Sequence, residues 1–376
     1  MTRYTVLALL ICAGSLHHSD TNADILGDTL DPFVSTDGIV YTVAEANNVL
    51  YLGGSFNLVG RNTGGGAFVF PGSGGLISNQ LMFNGTVSTA VPDGQGGCYV
   101  GGSFTRVGHH LRTNLVHFLN DGSVNPHWRP NVQGNYVRAI ARFGNSIFIG
   151  GSFTNVNGLA RTNLAAIEAG TGHLSSWNPG ANGFVNSLQV HGTNLYVGGD
   201  FTHVGGLNRS YLAAVSLETG LATSWNPQPD YRVHALHVFG NRLFVGGYFS
   251  FIGQQSRSLL ASFALPNGTL ETWNPNVGSG STAIVYALAA TPETLFVGGS
   301  FNVVGSSNRL HVAAVDLVTG LAKNWNAQLD NISGGQVNAL HIAGSDVYVG
   351  GGFTQAGGVK RYYAAALNLN TAAVTG

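Results

Sequence analysis

Short apolar runs recur along the whole chain, each about the length of a strand and each ended by glycine, asparagine or proline. The stretch from Phe184 to Pro227 shows the pattern. Phe184 to Val190 predicts a first strand, His191 to Asn194 a turn, and Leu195 to Phe201 a second strand. A glycine-rich loop is expected over His203 to Arg209, then a third strand over Tyr211 to Leu217. Glu218-Thr219-Gly220 makes a turn and Leu221 to Asn226 a fourth strand, which Pro227 ends because proline cannot donate to a ladder.

The second run closes on Gly-Gly-x-Phe, and that ending occurs seven times, with its first glycine at 53, 101, 150, 198, 246, 298 and 350. Successive copies therefore lie 48 to 52 residues apart. A period of that length with four short strands is the signature of a propeller blade, whereas leucine-rich solenoids use shorter units. The expected fold is all-β: a seven-bladed β-propeller of four-stranded antiparallel blades, one domain over residues 24–376. The last copy stops at Thr371 to Gly376, before the place where other copies carry Trp-Asn-Pro, and Thr29-Leu30-Asp31-Pro32 reads like the missing piece. An N-terminal strand is thus expected to pair into the last blade and close the ring, leaving no open edge.

Composition narrows the partners. Only 9 % of residues are charged and the formal net charge is -1, with no basic run, which argues against nucleic acid. Arg3 followed by the apolar run Tyr4 to Ala13 and a Thr-x-Ala ending at 21 to 23 reads as a cleaved signal peptide, residues 1–23. That run is half the ~20 residues a stable membrane span needs. The expected location is secreted, cell-surface or periplasmic. After cleavage Cys98 is the remaining cysteine, within an apolar strand, and is expected to be a buried, inert thiol.

Residues that recur in register are expected to be scaffold. The glycine pair sits inside a strand, so either a backbone approaches closely or the strand bulges. The phenylalanine two places on is expected to pack between blades, and the alanine-rich third strands to let sheets stack closely. Trp128, Trp177, Trp225, Trp273 and Trp325 fall at one point of the repeat and read as anchors at blade edges. An arginine ten residues after the second glycine (Arg112, Arg161, Arg209, Arg257, Arg309, Arg361) suits stacking on rings and bonding loop carbonyls.

A site is expected where the repeats differ. The first strand constantly leads with valine (Val40, Val87, Val137, Val185, Val233, Val285, Val337), but the next residue varies: Tyr41, Ser88, Arg138, Asn186, His234, Tyr286 and Asn338. Variable polar side chains on an invariant frame are what ligand-facing positions of a rigid scaffold look like; solvated drift among duplicated blades is the other reading. Tyr41, Arg138, Asn186, His234, Tyr286 and Asn338 are the candidate ligand-binding residues. No His-x-x-x-His or Cys-x-x-Cys metal spacing, nucleophile elbow, phosphate loop or calcium loop occurs. No catalytic residue, metal or cofactor is therefore assigned.

The sequence Tyr-x-Gly-Gly-x-Phe, Gly-x-x-Arg, Leu-Ala-Ala, Thr-Gly, Trp-Asn-Pro resembles the delta-60-repeat family of secreted β-propeller proteins. Repeat two carries its common form, with Pro92-Asp93-Gly94 before Gly101-Gly102-Ser103-Phe104 and Asn120-Asp121-Gly122-Ser123 after. Leu76 to Phe83 departs from it, with Gln80 where tryptophan is expected. The resemblance implies an exported or surface-associated protein. The glycine doublet is also similar to kelch repeats, and Ala314 to Gly320 followed by Trp325 to the tryptophan-docking repeat of quinoprotein dehydrogenases. The expected function is a non-catalytic, monomeric binding module for extracellular protein or glycan. The alternative is a propeller enzyme, either a carbohydrate-active hydrolase or a quinoprotein-like dehydrogenase, using the same variable residues.

Overall fold

The computed structural model describes residues 36–47, 49–59, 61–62, 67–69, 82–278, 282–330 and 335–375. Gln80 and the segment 24–34, expected to complete the last blade, lie outside them. Among the described residues there is no helix, and each repeat forms one antiparallel sheet in the order first, second, third strand. In repeat four these are Phe184–His191, Asn194–Asp200 and Leu212–Ser216. The same three strands recur in all seven copies, from Ile39–Ala46 in the first to Ala364–Asn368 in the last.

Two elements differ from expectation. The glycine-rich loop is itself a small hairpin, His203–Val204 against Leu207–Asn208, whose base bridges Ala181 of the chain leading into the same sheet. The fourth strand is much shorter than Leu221 to Asn226: pairing lasts for the single bridge Val215 to Ala222, and only repeat five extends it to two residues, Thr269–Leu270. The arginine supplies the reason. Arg209 donates from Nη2 to the carbonyl of Thr223 at 2.6 Å and from Nε to that of Trp225 at 3.1 Å, so those carbonyls are taken by guanidinium rather than by a ladder. Arg112, Arg161, Arg257 and Arg309 hold Asn125, Ser175, Glu271 and Lys323 in the same way. The recurring arginines are scaffold through carbonyls, and the guanidiniums that lie over rings belong to Arg232 and Arg242 instead.

Freed from the ladder, the tryptophan reaches into the next sheet. Trp177 donates its indole N–H to the carbonyl of Ser216 at 2.9 Å while its ring packs edge-on against Phe148 of its own sheet. Trp128, Trp225, Trp273 and Trp325 make the equivalent bonds to Glu168, Gly268, Asp316 and Asn368. Burying the ring and satisfying its one polar atom together tie each sheet to its successor. The seven motif phenylalanines, Phe56 to Phe353, are all buried, as is the free Cys98, whose thiol burial pushes strongly toward the protonated form.

Sheet-to-sheet approach explains the first glycine of each pair. A Cβ on Gly198 would lie 2.5 Å from Cγ1 of Val233, the leading valine of the next sheet, and the relation repeats at every copy. At the end of the chain the partner is Val40: a Cβ on Gly350 would sit 2.4 Å from its Cγ1. The amide of Thr36 also donates to the carbonyl of Tyr362, as Ala181 does to Thr162 between repeats three and four. The seventh sheet thus packs against the first as each sheet packs against its successor.

Candidate functional site

The second glycine has a different cause. A Cβ on Gly199 would lie 2.1 Å from the carbonyl oxygen of Phe184, within its own sheet. That carbonyl is pushed toward the glycine by a β-bulge: Val185 pairs with Gly199 and Ser187 with Gly198, so Asn186 between them has no partner. The same skip follows the leading valine in every copy, leaving Tyr41, Ser88, Arg138, Asn186, His234, Tyr286 and Asn338 as the unpaired residues. A bulge re-aims its extra side chain. The glycine doublet is therefore the device that presents the variable residue.

All seven of these residues line one cavity of about 590 Å³, walled by the first strands of the seven sheets. The structure brings the sequence-predicted set together without exception. Two places further along six of the seven first strands the wall is apolar, formed by Val43, Ile140, Leu188, Leu236, Leu288 and Leu340. Sequence reasoning missed Tyr136 and Gln336, which precede the leading valines and also line the cavity; alternation outward from the bulge carries that signal.

The charge pattern is one-sided. Among the described lining residues Arg138 carries the only full charge, and no aspartate or glutamate is one of them. Arg138 is exposed, whereas nearby Arg232 is paired with Asp200 at 3.0 Å. Burial first, then the charges of Arg138 and Arg232, hold His234 down to about 4, so the imidazole is neutral at ordinary pH. Its ring stands edge-on to Tyr286 at 5.4 Å, and burial raises that phenol. Nδ1 of His234 and Nδ2 of Asn338 are buried without a hydrogen-bond partner among the described residues. Asn186 donates to the carbonyl of Val233 at 3.1 Å, which fixes its amide across the seam between two sheets. At the edge of the cavity the Tyr136 ring lies 6.2 Å from that of Phe184, itself 46 % exposed.

Chemically, the described wall is polar at its bulged positions, carries one cation with no carboxylate among the described lining residues, and is apolar further along the strands. No group of three or more His, Cys, Asp or Glu side chains gathers among the described residues.

Similarity to solved structures follows the geometry. The chain aligns with the WD40 β-propeller domain of Doa1 at a TM-score of 0.57 and 11 % identity, over 85 % of this chain and 92 % of that one. The chain is a β-propeller. It is similar as well to the computationally designed Ika8 protein, at a TM-score of 0.52 and 13 % identity, over 90 % of this propeller and 87 % of the designed chain. No family model and no curated protein matches the sequence. Identities this low carry the fold alone.

Proposed function

We propose that this propeller is a non-catalytic binding module that holds part of an extracellular glycan in its central cavity. In this reading the seven sheets are the blades of one closed ring of the delta-60-repeat type, exported after loss of residues 1–23 and acting as a monomer. The observation that carries the reading is the set of seven bulged, variable side chains facing one cavity with no carboxylate among them. A hydrolase of sugars works with two carboxylates placed about the scissile bond, and this wall offers none. A cavity near 590 Å³ lies within the ~300–1,000 Å³ of small-ligand sites and suits one or two sugar residues better than a protein surface.

The test is glycan-array binding by the purified 24–376 chain, repeated with Asn338→Ala and Tyr41→Phe. Specific glycan binding that weakens at least tenfold in both variants, with unchanged circular dichroism, supports the reading. Binding only to extracellular proteins, or glycan binding indifferent to both substitutions, overturns it.

A further inference from the structure

The cavity is not neutral toward its ligand. Among its described lining residues the single full charge, Arg138, has no carboxylate to answer it, although Arg232, which also acts on His234, is paired with Asp200. A guanidinium offers a planar fork that matches a carboxylate in two parallel bonds. Around the same cavity stand neutral polar side chains suited to hydroxyls: His234, Asn338 and the phenol of Tyr286. Tyr136 adds a ring to the lining, backed by the exposed ring of Phe184, and the apolar face of a sugar packs well against such a ring. Taken together, the wall pairs one cation with several neutral polar groups and an aromatic edge.

We propose that the ligand is a carboxylate-bearing sugar residue, with its carboxylate on Arg138 and its hydroxyls on His234, Asn338 and Tyr286. The assignment rests on the glycan-binding reading above and specifies its chemistry. A neutral sugar would give the Arg138 guanidinium no carboxylate partner, and an acid without hydroxyls would leave the neutral polar side chains of the wall unused.

The experiment is an NMR titration of the 24–376 chain with methyl β-D-glucuronide and with methyl β-D-glucoside, which differ only in carboxylate against hydroxymethyl. The glucuronide is expected to bind at least tenfold more tightly at low salt and to lose that preference as salt rises. Arg138→Gln should remove the preference, with Arg138→Lys between Arg138→Gln and the parent. Because Arg138 is exposed, its substitution should leave the melting curve unchanged. Equal binding of the two sugars, or a preference that survives Arg138→Gln, overturns the carboxylate assignment and leaves glycan binding standing. Absence of cavity shifts with either sugar at concentrations up to tens of millimolar overturns the assignment, and glycan-array binding separately decides whether the broader reading falls with it.

Discussion

Replacing Gly350 by alanine is a direct test of whether the seventh sheet closes on the first in solution. The new Cβ would sit 2.4 Å from Cγ1 of Val40, against the ~3.5–4.0 Å at which two carbons rest comfortably. The overlap is more than 1 Å, and Val40 has nowhere to go: it is fully buried and its branched side chain is stiff at χ1. Either the seam opens or the strands distort, and overpacking of this kind costs about 1–3 kcal/mol. Gly198→Ala meets Val233 at 2.5 Å in the middle of the chain and serves as the reference, since those sheets are neighbours whatever the termini do. In urea or guanidinium unfolding the two variants should lose comparable stability. Val40→Ala removes the 2.4 Å contact but leaves Cβ at 2.9 Å, so in a double-mutant cycle, which subtracts the cost of truncating buried Val40, it should couple favourably with Gly350→Ala and not with Gly198→Ala. A Gly350→Ala protein as stable as the parent, beside a weakened Gly198→Ala protein, would refute the closed seam.

Two further predictions concern buried histidines. His311 occupies a left-handed position, φ 64°, and is buried with both ring nitrogens unpartnered, whereas Asn114 and Asn163 at the same point accept from the amides of Phe104 and Phe153. His311→Asn should therefore raise stability by about 1 kcal/mol through the bond to Phe301 and the easier backbone, measured as a higher denaturant midpoint; a lower midpoint would sink the idea. His234 and His237 are both held down to about 4, by burial first, while unfolded histidine titrates near 6.5. Protons then bind the unfolded chain first, so stability is complete above pH 7 and falls as pH drops from 6.5 toward 4, by about 2 kcal/mol per histidine at pH 5. Midpoints measured from pH 7.5 to 5 should show the fall, and His237→Gln should reduce it by about 2 kcal/mol at pH 5; a flat profile would contradict the burial.

Repeat period, blade type and the address of the cavity were legible because each depends on residues that recur or vary in register. Valine leads the first strand in every copy while the next residue takes five identities over the seven, and that contrast marks the cavity wall. The fourth strand was not legible, because its length is decided by a competitor outside the strand. Leu221 to Asn226 has the composition to pair, but Arg209 is distant enough in sequence that its claim on the carbonyls of Thr223 and Trp225 appears only once the chain is folded. The hairpin over His203 to Asn208 was hidden for a simpler reason. Two-residue strands have no period to read.

The glycine doublet shows how scaffold and site share one device. Its two residues look equivalent in sequence, yet the first is held to glycine by a valine from the next sheet and the second by a carbonyl of its own sheet. The first sets how closely sheets approach. The second permits the bulge, and the bulge turns one side chain per sheet out of the ladder and into the cavity. Because neither glycine constrains the bulged residue itself, Arg138, His234 and Tyr286 were free to diverge while the frame around them stayed fixed. The polar character of the described cavity wall accordingly resides in seven unpaired positions, and its charge in Arg138.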